Sequence, residues 1–210
     1  MKNTFIKIAF LSIATIGLIS CGNEPTAKPE IEKENTYEIN AETVNLKWTA
    51  YKTTAKAPVG GTFENINIKE FAPAEKIEQA IDFVSFSIPV SSLITGNAAR
   101  DVKLVSKFFG IMDNTEFIKG TFHYVDGNEK EGNGNLDLTM NGNTSLLPYK
   151  YTIANDSIFI SATMNVKQWK AENALDSLNV ACGILHQAAD GITKTWEEVD
   201  IKASVGIIKK

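Results

Sequence analysis

Val44, Leu46, Trp48 and Ala50 occupy every second position, with Thr43, Asn45, Lys47, Thr49 and Tyr51 between them. Alternation with period two marks a strand that buries one face. It recurs over 62–68 with Phe63 as anchor, and at Val84, Phe86, Ile88 and Val90. It continues over 119–125, then at Leu136, Leu138 and Met140, and at Leu147, Tyr149, Tyr151 and Ile153. The last two runs are Ile158, Ile160, Ala162, Met164 and Val166, and Val199, Ile201, Ala203, Val205 and Ile207. The pattern predicts about eight strands. Gly60-Gly61, Asp126-Gly127-Asn128, Asn141-Gly142-Asn143 and Asn155-Asp156 supply turn chemistry between them and favour hairpins. Hairpins with one apolar face must bury that face together, and closure into an antiparallel up-and-down β-barrel also removes exposed edges. A two-sheet sandwich is the competing mainly-β arrangement, since the same alternation serves it.

Two stretches break the alternation. In the first, Thr95-Gly96-Asn97 is a turn, and Asn97 is placed to cap a short helix. Leu104 and Phe108, like Val105 and Phe109, lie four apart and give that helix an apolar stripe, with Gly110 positioned to end it. Such a helix plugs one end of a sheet or acts as a lid. The second break, 169–194, carries Ala174, Leu175 and Leu178 as a short helical face and reads as a second cap.

The N-terminus changes the picture from a free domain to a tethered one. Residues 1–20 carry Lys2 and Lys7 ahead of an apolar run from Ile8 to Ile19 that is short for a bilayer span, as in an export signal. Leu18-Ile19-Ser20-Cys21 resembles the bacterial lipobox, which implies diacylation of Cys21 and a membrane anchor. Residues 21–42, rich in Pro, Glu, Lys, Asn and Thr, read as a flexible tether, leaving 43–210 as the barrel domain. The expected location is the periplasm. The net charge is −4, and removal of residues 1–20 takes two lysines and no acids, leaving 19 bases against 25 acids and a net −6. Without a basic stripe, nucleic acid is not an expected partner.

Candidate catalytic chemistry is sparse. His123 and His186 are far apart, no Cys/His cluster has metal-ligand spacing, and no GxSxG elbow is present. Cys182 and His186, four apart, are the one pair placed for thiol activation or a metal contact; with Cys21 lipidated, Cys182 is most simply a buried thiol. No catalytic residue, metal or cofactor is expected. Arg100-Asp101 has a structural reading, with Asp101 favouring the helix dipole and Arg100 bridging to a loop carboxylate. In the other, Arg100 meets an anionic head group with its planar fork.

Leu46-Lys47-Trp48, Gly61-Thr62-Phe63, Ser92-Leu93-Ile94-Thr95-Gly96-Asn97 with Arg100-Asp101, Leu104 and Phe108, and Gly134-Asn135-Leu136 together resemble the YceI-like family. The resemblance covers roughly 43–207. It implies an extended, lipocalin-like antiparallel barrel whose apolar interior holds an isoprenoid-like (polyprenyl or quinone-type) amphiphile. Relative to compact members, the 169–194 segment is longer and the lipid anchor is an addition. Independently of the resemblance, a barrel of this strand number either fills its interior with side chains or holds one ligand. The candidate wall is Leu46, Trp48, Phe86, Ile88, Leu138, Met140, Tyr149, Tyr151, Ile160 and Met164. Each serves equally as plain core, in a structural or interaction lipoprotein with no ligand. Tyr149 and Tyr151 carry hydroxyls that need partners when buried and suit a polar head.

Overall fold

Alternating side chains become ten antiparallel strands in a computed structural model that describes residues 35–210. The export signal, Cys21 and the tether as far as residue 34 lie outside the described residues. The strands are β1 (Tyr37–Lys52), β2 (Ala57–Phe63), β3 (Asn67–Glu70), β4 (Ser85–Pro89), β5 (Leu93–Ile94), β6 (Phe117–Gly127), β7 (Glu131–Met140), β8 (Asn143–Ala154), β9 (Ser157–Asn165) and β10 (Thr195–Lys209). Their order across one sheet is β3-β4-β6-β7-β8-β9-β10-β1-β2-β5. The sheet curls into a half-barrel around a continuous apolar core running from Ile39 to Val205.

Ten strands rather than eight arise where short segments serve the edges. Residues 62–68, expected as one strand, are split: Phe63 ends β2 and Asn67 begins β3. The extended stretch near Ile88 divides at a 3-10 turn over Val90–Ser92, so that β4 pairs with β6 while β5 pairs with β2. One chain segment thus joins the two margins of the curled sheet.

Strand β1 starts at Tyr37, inside the segment expected as tether. Asn40 pairs with Gly206 and Asn45 with Ser204, so the register shifts between them. That irregularity sets Ile39 out of phase with Val44, which hid this strand end from a period-two reading; Ile39 is nonetheless in the core.

The turn residues behave as their chemistry requires. Asn141-Gly142 and Asn155-Asp156 all have positive φ, as two-residue hairpins of matching twist demand. Gly60-Gly61, however, is not punctuation. Gly61 pairs with Trp48 inside the sheet, and a Cβ there would overlap the indole ring, so glycine makes the slot in which Trp48 lies.

Two helices cover one end. Helix α1 (Ala98–Lys107) is capped by Asn97, whose Oδ1 accepts from Arg100 N at 3.0 Å. Asp101 ties it back to the preceding turn by accepting from Thr95 N and Thr95 Oγ1. Helix α2 (Glu172–Cys182) buries Ala174 and Leu178, and packs on α1 and β10. Residues 35–210 form a compact unit by their own contacts.

Candidate functional site

The interior is hollow. A cavity of about 210 Å³ runs along the inner face of the sheet. Along β1 its wall takes Ile39, Val44, Leu46, Trp48 and Ala50, and along β10 it takes Thr195, Trp196, Val199, Ile201, Ala203 and Val205. At a strand rise near 3.3 Å per residue, both sets span roughly 30 Å, so the space is long and thin. Leu104 of α1, Phe108 just after it, and Leu175 and Leu178 of α2 close over one end. A barrel filled by its own side chains is not what the sequence builds.

Nine of the ten candidate wall residues meet there: Leu46, Trp48, Phe86, Ile88, Leu138, Met140, Tyr149, Ile160 and Met164. Tyr151 does not. It lies beyond the cavity, beside Tyr124 at a ring distance of 6.3 Å, and its hydroxyl donates to Asn128 O at 3.2 Å. A hydroxyl engaged with the hairpin backbone is a plug, not a head-group contact. Tyr149 lines the wall, but its hydroxyl donates to His123 O at 3.3 Å, and burial pushes its phenol well above the ordinary range, so it stays neutral. The candidate list omitted the whole contribution of β10 and both helices. The inward parity of Val199, Ile201, Ala203 and Val205 was present in the sequence and would have supplied the first. Only the packing of the helices supplied the second.

The few polar side chains near this wall are mostly spoken for. Trp196 Nε1 donates to Thr53 O at 2.7 Å and Thr195 Oγ1 to Asn179 Oδ1 at 2.9 Å. Among the described residues, only Trp48 Nε1 is a buried side-chain polar atom without a partner. A water needs two to four polar partners to be held, and dry apolar cavities of this kind take apolar guests.

Three cations stand at the helix-covered end. Lys52 Nζ donates to Leu185 O at 3.0 Å, and Arg100 and Lys103 project from α1. Among the described residues none of the three is within salt-bridge distance of a carboxylate, so the loop bridge expected for Arg100 does not form. Beside them, His186 lies in a 3-10 turn (Gly183–His186) after α2. Its Nδ1 bonds Thr195 Oγ1 at 2.7 Å. Because that hydroxyl gives its proton to Asn179, the imidazole carries its proton on Nδ1. Burial first, then Lys52, Lys103 and Arg100, hold His186 below its ordinary pKa. Burial pushes the Cys182 thiol up, against the lowering that a nucleophilic cysteine requires.

The model of the YceI-like domain matches residues 37–206. The chain belongs to the YceI-like family. A search of the curated proteins returns no match. Among solved structures, it is similar to a polyisoprenoid binding domain from Saccharophagus degradans implicated in plant cell wall breakdown (TM-score 0.60, 10% identity, covering 83% of this chain and 98% of that one). It is also similar to Burkholderia cenocepacia BcnA (TM-score 0.52, 12% identity, 81% and 99% covered) and to the Campylobacter jejuni YceI protein (0.52, 16%, 73% and 86%). At these identities the likeness is one of fold. The YceI-like domain begins at Tyr37, where β1 begins.

Proposed function

We propose that this YceI-like domain binds a long-chain, isoprenoid-like amphiphile in its interior, acting as a carrier or store and not as an enzyme. The observation that carries the reading is the shape and lining of the cavity: long, thin and almost wholly apolar, with Leu46, Ala203 and Ile160 drawn from three adjacent strands. A ligand held this way gains roughly 25 cal/mol per Å² of apolar surface it withdraws from water, and is selected by length and cross-section. The printed description of the Saccharophagus neighbour as polyisoprenoid-binding supports the same chemistry. Trp48 lines the wall and carries a buried indole N–H without a partner, the donor we assign to an oxygen on the guest, such as a quinone carbonyl. Cys21 is the proposed site of lipidation, which would hold the domain at a bacterial membrane on its periplasmic side.

The test is native mass spectrometry with lipid extraction on residues 35–210, exported to the periplasm and purified without detergent. A discrete co-purifying mass in the polyprenyl or quinone range is expected. A bare protein that also takes up no polyprenyl compound from solution would sink the reading.

A further inference from the structure

Of the six most exposed large hydrophobics among the described residues, five lie on α1 or in the 180–192 stretch. The three most exposed large hydrophobics among the described residues are Val180 (82%), Ile184 (80%) and Val102 (67%). Phe83 (66%) comes next, apart from them beside His123, and then Leu185 (59%) and Ile192 (55%), within the same 180–192 stretch. Val180 lies on the outer side of α2, whose opposite side buries Leu178; Ile184 and Leu185 occupy the 3-10 turn that follows. That turn is fixed, not trailing. Lys52 Nζ holds Leu185 O, Lys194 N donates to His186 O at 3.1 Å, and Thr53 N donates to Lys194 O at 2.8 Å. The stretch is therefore stitched to the ends of β1 and β10, directly above Thr195 and Trp196 of the cavity wall.

The rim carries both signs: Asp101 on α1 and Asp190 in the 180–192 stretch are each engaged by a threonine hydroxyl, Thr95 and Thr54. The protein is acidic overall at −4, yet Lys52, Arg100 and Lys103 stand here without carboxylate partners among the described residues. Lys52 reaches Leu185 O, and α1, which carries Arg100 and Lys103, packs on α2 just before that turn. Protruding aliphatic side chains beside unpaired cations match the interface of a bilayer that carries anionic lipid: the chains enter below the head groups and the cations meet the phosphates. A protein partner would more often be met by aromatic anchors, and none of the five exposed residues on α1 and in 180–192 is aromatic.

We propose that this rim docks the helix-covered end of the cavity onto an anionic lipid bilayer, so that the amphiphile passes between bilayer and cavity without crossing water. The passage rests on the cavity binding an amphiphile; the docking does not. The segment 169–194 then has a role of its own.

The experiment is co-sedimentation of residues 35–210 with vesicles of phosphatidylcholine alone or with phosphatidylglycerol added, at low and at physiological salt. Binding to the phosphatidylglycerol vesicles, weakened by salt, is expected. V180D/I184D should lose it by about tenfold or more while keeping its melting temperature, because both side chains are already in water. K52Q/R100Q/K103Q should bind both vesicle types alike. In a second arm, a fluorescent polyprenyl probe is offered either from a cyclodextrin complex or from the vesicles. V180D/I184D should take it from cyclodextrin as the parent does and from vesicles more slowly. Vesicle binding without any probe uptake would uphold the docking and remove the cavity reading. Probe uptake without vesicle binding, vesicle binding untouched by either variant, or self-association abolished by V180D/I184D would each overturn the docking.

Discussion

At the end formed by the β6–β7 and β8–β9 hairpins, Tyr124 and Tyr151 pack together with buried Ile158, and both hydroxyls donate to backbone carbonyls at 3.1 and 3.2 Å. At the other end, Leu104 of α1, Phe108 just after it, and Leu175 and Leu178 of α2 lie across the opening and leave open space beneath them. The first end is filled to the backbone: glycines at 132 and 134 let tyrosine rings lie flat on the sheet, where any Cβ would collide. The second is built from side chains that touch on one side only, with its most exposed aliphatics turned outward. One sheet is thus closed by close packing at one end and roofed by two helices over open space at the other.

The contrast can be broken by adding atoms to each half. Gly134→Ala places a Cβ against Tyr149 and the carbonyl of His123, which cannot move aside because it belongs to the ladder. A loss of about 3 kcal/mol is expected in urea denaturation. Wild-type stability in this variant would mean that the tyrosine end is looser than its packing implies. Ala203→Phe adds more atoms, but into the cavity. Lipid retention should fall by about tenfold or more, with unfolding free energy within about 1 kcal/mol of the parent. Retained lipid at full occupancy would place the ligand elsewhere.

Smaller changes sharpen the comparison. Tyr151→Phe removes only the bond to Asn128 O and should cost about 1 kcal/mol without altering retention, since Tyr151 is not in the wall. A lipid-binding defect would return it to the site. The smallest effect concerns His186, held below its ordinary pKa in the fold by burial and by Lys52, Lys103 and Arg100. The unfolded chain binds its proton more readily, so this contribution is complete above the unfolded pKa near 6.5 and is lost as pH falls toward the lower folded value. His186→Gln should therefore flatten the melting temperature between pH 7.5 and 5.5, and an unchanged slope would assign it to other groups.

Much of this was legible in the chain alone. Alternation at Val44 to Ala50 and at Ile158 to Val166 named strands and their inner faces, because period two is a local property of extended backbone. Asn141-Gly142 and Asn155-Asp156 named hairpins through backbone conformations that few residues adopt, and Asn97 named a helix start through its own side-chain oxygen. The motifs of 46–136 pointed to the YceI-like family that the domain match then showed. What tertiary structure alone decided depends on residues distant in sequence. Whether Leu46, Ile160 and Ala203 would meet or stand apart around a void follows from the curl of ten strands, which no single strand encodes. Gly61 looked like a turn until its register set it under Trp48. Lys52, Arg100 and Lys103 are scattered charges in the sequence, and come to one end only because the end of β1, α1 and the segment after α2 converge there.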